Sequence, residues 1–147
     1  MKNVSAATVV LAVLVAGLLT ALSGSCAKIV SPTGGSKDTD PPVVVNSVPP
    51  GGTVFFKSRT ISVTFNEYVV LDKLNEKFMI SPPMDKKPEI SLKGKTMKIV
   101  LKEEPRENTT YTLYFQDAIK DLNEGNPILN FQYVFSTGSY LDSLSVT

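Results

Sequence analysis

The sequence contains no histidine, no tryptophan and a single cysteine, Cys26. Without histidine it lacks the side chain that most often serves as general base or zinc ligand near neutral pH. One cysteine cannot close an internal disulfide, so whatever folds must be held by an apolar core. An excess of one charge is missing too. Fifteen Lys and Arg stand against fourteen Asp and Glu, interspersed along the chain. No basic surplus is there to neutralise phosphates, which argues against nucleic acid as a partner. After Cys26 no stretch sustains a 3.6-residue apolar repeat, so long amphipathic helices are not expected.

What is there begins with an apolar leader. Lys2 is the only charge before Lys28, and the uncharged run Val4–Leu22 ends in Ser23-Gly24-Ser25-Cys26. A short positive start, an apolar centre and a small-residue exit make a secretory signal. The length alone would also suit an uncleaved membrane-spanning helix, which needs about 20 apolar residues. The small exit residues and the lack of a following basic cluster favour cleavage. Simple secretion with a free thiol is the third option. The leader resembles bacterial lipoprotein signals, in which a small-residue box ends in a cysteine that is diacylated before cleavage. Ser23 stands where that family usually has Leu, and Leu22 lies one place earlier. The resemblance implies cleavage between Ser25 and Cys26, lipidation of Cys26, and a membrane partner reached through its acyl chains. Each buried CH₂ contributes about 0.8 kcal/mol to such anchoring, and stable attachment takes more than one chain.

Residues 1–25 then read as signal, 26–40 as the lipidated cysteine and a flexible linker rich in Ser, Thr, Gly and Pro, and 41–138 as the folded domain. Residues 139–147 read as the start of a further strand or linker. Two prolines before Val43 favour extended backbone. A first strand over Val43–Val48 stops at Pro49-Pro50-Gly51-Gly52, a tight-turn sequence. Ile61–Phe65 alternates apolar and hydroxyl side chains with period two. Weaker strands follow at Lys77–Ile80 and Glu89–Leu92. Strong alternation returns with Met97, Ile99 and Leu101, then Tyr111, Leu113 and Phe115, then Phe131, Tyr133 and Phe135. Asp117–Leu122 has room for one helical turn. About seven short strands in roughly 100 residues is the pattern of an all-β, antiparallel β-sandwich.

Several of these pieces together resemble the SbsA-type bacterial Ig-like domain found near the start of Bacteroidota lipoproteins. They are Pro32-Thr33-Gly34-Gly35 with Lys37-Asp38, Asp40-Pro41-Pro42, Ile61–Phe65 with Glu67, Asn108-Thr109-Thr110-Tyr111, Asp121 with Gly125-Asn126-Pro127, and Phe135-Ser136-Thr137-Gly138. The resemblance implies an Ig-like sandwich in a cell-envelope lipoprotein, on the periplasmic or outer face of the outer membrane. It implies an accessory or display module, with no catalytic residues to carry over.

Few residues suggest chemistry. Asp117, Asp121, Asn123, Glu124 and Asn126 form the densest oxygen cluster, but Glu124 occupies the place that a twelve-residue calcium loop gives to glycine. Capping of a turn by its own side chains is the competing reading, and no cofactor is expected. Tyr111 opens a strong strand after a polar loop, where sandwiches place a tyrosine that bonds back to that loop. Tyr68, Tyr114 and Tyr140 are candidate stacking residues for a glycan or hot spots for an envelope protein. Asp142-Ser143-Leu144 resembles the short O-glycosylation motif of Bacteroidota, with Ser143 as acceptor, and Asn108-Thr109-Thr110 is an N-glycosylation sequon. Glu67 and Asp121 could be neighbours and so offer paired carboxylates for hydrolysis, whose retaining arrangement would need them about 5 to 5.5 Å apart in a cleft. A small sandwich offers little cleft, so the expected function is a structural, spacer or protein-interaction module rather than an enzyme. The alternative is a glycan-binding subunit of a nutrient-uptake assembly.

Overall fold

A computed structural model describes residues 35–142, together with residues 6, 7, 9, 10, 11 and 13 of the leader, which are helical. Cys26, Ser25 and Ser143, expected to carry lipidation, cleavage and glycosylation, lie outside the described residues. Among the described residues no helix is long and apolar enough to cross a membrane.

Residues 36–142 contain nine strands: β1 Val44–Val48, β2 Thr60–Phe65, β3 Val69–Leu71, β4 Met79–Ser81, β5 Glu89–Lys93, β6 Thr96–Val100, β7 Thr110–Tyr114, β8 Ile119–Asp121 and β9 Gln132–Ser136. A four-stranded sheet has the order β1-β2-β6-β5, a three-stranded sheet the order β4-β7-β9, and β3 pairs with β8 in a two-stranded ribbon. All these pairings are antiparallel, and the two larger sheets enclose one core, which makes the domain a β-sandwich.

Period-two alternation decides what goes inside. In β2, Ile61, Val63 and Phe65 are buried while Thr60, Ser62 and Thr64 face outward. Met97 and Ile99 of β6, Tyr111 and Leu113 of β7, and Tyr133 and Phe135 of β9 meet them from the other strands. Aromatic rings fill the centre: Phe135 packs on Phe56 at 4.0 Å between centroids and stacks on Tyr111 at 5.3 Å. Gly94, at φ 61, opens the two-residue turn between β5 and β6, the conformation a tight hairpin assigns to glycine.

Nine strands replace the expected seven because β3 and β8 are only three residues long. The helical turn expected over Asp117–Leu122 is corrected as well. Those residues include β8, which buries Ile119 and Asp121, and the short helix within residues 36–142 is α1, Leu74–Lys77. A further departure lies between β1 and β2. Thr53 bridges Phe135 in parallel, and Gly52 N–H to Val134 O, Ser136 N–H to Thr53 O and Phe56 N–H to Ser136 O lay residues 52–56 along β9. The chain therefore leaves one sheet at the Pro49-Pro50 turn and extends the other.

Candidate functional site

The sequence motifs come together in two places, at opposite ends of β2. At the end holding Phe65, the buried carboxylate of Asp121, 1% exposed, accepts backbone N–H bonds from Glu124 (2.5 Å), Gly125 (3.0 Å) and Asn126 (2.7 Å). Burial alone would push this carboxyl up. The converging N–H groups of Glu124, Gly125, Asn126 and Asn123 outweigh it and hold Asp121 below the usual carboxylate range. The turn so closed presents Asn126, whose side-chain amide donates to Asp38 O (3.1 Å) and Asp40 O (3.3 Å). Val43 N–H donates to Asn66 Oδ1 at 2.7 Å, and Asn66 N–H returns a bond to Val43 O. Pro42 is buried between these clamps. Residues 38–43 thus lie on the domain as a docked stem.

Glu67 stands near this junction. Its carboxyl is raised by burial, then by the charges of Asp121, Asp38 and Glu124, against the lowering effect of Lys95. Lys95 Nζ sits 5.6 Å from the centroid of the exposed Tyr68 ring and donates to Asn66 O.

At the other end, the Asn108–Tyr111 and Phe135–Gly138 motifs interlock. Arg106 N–H donates to the Tyr111 hydroxyl at 3.0 Å. Thr137 Oγ1 accepts from Thr109 N–H and donates to Arg106 O, and Thr137 N–H donates to Thr109 O. A Cβ on Gly138 would lie 3.2 Å from Asn108 Cα, so glycine lets the two loops approach this closely without a shift of Asn108. Beside this lock is an open cleft of about 480 Å³ lined by residues that include Phe56, Lys57, Arg59, Glu104 and Glu107.

The remaining candidates are dispersed. Asp117 pairs with Lys77 at 3.0 Å, and Asp72 accepts from Lys120 at 2.8 Å and Lys77 at 3.3 Å. The Lys77 ammonium holds Asp117 below its ordinary range, and Lys120 followed by Lys77 does the same for Asp72. Asn123 and Glu124 are exposed. Among the described residues, no three His, Cys, Asp or Glu side chains are grouped to hold a metal. Tyr68 and Tyr140 are exposed, whereas Tyr114 is half-buried and donates to Asn130 Oδ1 at 2.6 Å. Tyr133, which hydrogen-bonds Pro49 O at 2.7 Å, is pushed by burial up to about 12.

Sequence reasoning missed the Asn126 clamp and the Lys77–Asp72–Asp117–Lys120 network. The Asn126 signal was available, because an Asn after a tight Gly turn is a common side-chain donor to neighbouring backbone. The network joins residues up to 48 positions apart, and no local pattern carries that.

No curated protein matches the chain. Among solved structures, PcoC, a methionine rich copper resistance protein from Escherichia coli, is similar at 20% identity and a TM-score of 0.44, over 64% of this chain and 95% of that one. An L,D-transpeptidase from Mycobacterium smegmatis is similar at 19% identity and a TM-score of 0.42, over 67% of this chain, which spans 41% of the transpeptidase. The family model of the bacterial Ig-like domain matches residues 38–137, a span that opens at the first docked residue of the stem, and the chain belongs to that family.

Proposed function

We propose that this protein is a lipoprotein of the cell envelope, anchored at the outer membrane through an acylated Cys26, whose Ig-like domain acts as a spacer or protein-interaction module. The observation that carries this reading is how the motif side chains are used. Asp121, Asn126, Tyr111 and Thr137 each close a loop or fasten the stem of their own domain. A domain whose polar motif residues are committed to its own backbone is built to hold shape. The leader supports the anchoring part, since Gly24-Ser25-Cys26 ends an uncharged apolar run. Mass spectrometry of the native protein tests it: acyl chains on the Cys26 sulfur are expected, and a bare thiol in a soluble product overturns the anchor.

A second reading, glycan binding, has one observation in its favour. Tyr114 lies on the central strand of the three-stranded sheet between Met79 and Gln132, with its ring held by the Asn130 bond. A fixed ring on a sheet face suits stacking on a sugar. Retention on a polysaccharide affinity gel that Tyr114→Ala abolishes would favour this reading, and no retention of either chain removes it.

A further inference from the structure

The stem enters beside Phe65, which pairs with Val44, while the cleft lies past Thr60 at the far end of the same strand. Six strand residues separate the two by roughly 20 Å. The cleft therefore lies at the opposite end of β2 from the stem.

Its volume of about 480 Å³ lies within the roughly 300 to 1,000 Å³ of small-ligand sites. Phe56, buried against Phe135, gives it an apolar floor. Lys57 and Arg59 come from one bordering segment and Glu104 and Glu107 from the other, and Arg59 approaches Glu104 to 4.0 Å. Both segments are held in place. Ser58 Oγ donates to Thr60 O and accepts from Thr60 N–H on the basic side. Tyr111 and Thr137 hold Arg106 on the acidic side. An exposed ion pair such as Arg59–Glu104 stabilises little, so charged groups of a ligand can replace it readily. The residue before the floor, Phe55, is 61% exposed at φ 51, a conformation that bulky residues rarely hold unless the surroundings impose it.

We propose that this cleft binds a short peptide bearing both a carboxylate and an ammonium group. The carboxylate lies against Lys57 and Arg59, the ammonium against Glu104 and Glu107, and apolar side chains lie over Phe56. This rests on the reading of the domain as an interaction module and is independent of the anchor.

The test is calorimetric titration of the full chain in detergent micelles with trialanine, with N-acetyl-trialanine amide as the uncharged control. Saturable binding of trialanine is expected, weakened about tenfold or more by capping both termini. The Lys57→Ala/Arg59→Ala and Glu104→Gln/Glu107→Gln double variants should each weaken it to a similar degree, with unchanged thermal melting. Cys26→Ala should leave the affinity as it is, so failure of acylation and failure of the cleft are read separately. Equal binding of the capped peptide, unaltered binding by both double variants, or no saturable binding at millimolar trialanine overturns the proposal.

Discussion

Two single groups, a hydroxyl and a missing methyl, join the far loops of the domain. Tyr111→Phe removes the acceptor of the Arg106 N–H and should lower the unfolding free energy by about 1 kcal/mol, the usual net value of a hydrogen bond. For a domain of this size that is a fall of about 4 to 8 °C in Tm, readable by thermal denaturation. Gly138→Ala adds a Cβ that meets Asn108 at 3.2 Å from its Cα, and overpacking of this kind costs about 1 to 3 kcal/mol. Urea midpoints of the two variants should rank in that order. Both positions were visible in the sequence, Tyr111 through its place after a polar loop and Gly138 through the Phe-Ser-Thr-Gly ending. What could not be read was that the two motifs are each other's partners, since Thr137 reaches back 31 residues to Arg106.

Strands and segments add effects that single positions do not have. Asn126→Ala should free the stem, so the amides of Asp40 and Val43 should exchange about tenfold faster or more while those of β2 keep their protection, a difference hydrogen exchange resolves. Docking brings Asp38 close to Glu67, whose carboxyl is already raised by burial and by Asp121, Asp38 and Glu124. Added salt should screen that repulsion and slow the same exchange. The ion-pair network acts with the opposite sign. Asp72 and Asp117 have folded pKa values below their ordinary 3.8, so their contribution to stability is present above about pH 4 and is lost as the pH falls through the depressed values. Lys77, raised by its bond to Asp117 and less by Asp72, contributes fully below its ordinary value and loses that contribution at high alkaline pH. A Lys77→Met variant should therefore show a flatter fall in stability on acidification. The long strands announced themselves through alternation, as in Thr60–Phe65. The ribbon did not, because three residues such as Ile119-Lys120-Asp121 are too few to distinguish alternation from a helical turn, and a buried Asp hides the apolar face. Residues 52–56 were equally silent. They join a sheet through parallel backbone bonds beside β9, and a turn sequence carries no trace of the strand it will lie against.

For the molecule as a whole, the position of the stem governs how the domain is carried. If Cys26 is the anchor, eleven residues, 27–37, separate it from the docked stem, and a flexible chain of that length would reach about 17 to 20 Å. Replacing Cys26 by Ala should move the protein from the membrane to the soluble fraction on cell fractionation. Protease shaving of intact cells then distinguishes the two faces: loss of the domain signal places it outside, and protection places it in the periplasm. The chain comes in beside Phe65 and goes out beyond Gly138, where Asp142 N–H is tied to Thr110 Oγ1 at the other end. A tug between Asp38 and Asp142 thus runs along β1 and slides it lengthwise past β2, loading their rungs together rather than one by one. Stretched between an anchored tail and a bound partner, such a module should resist force as a shear bond does, and single-molecule pulling from those two points should give a higher rupture force than pulling across the sheet.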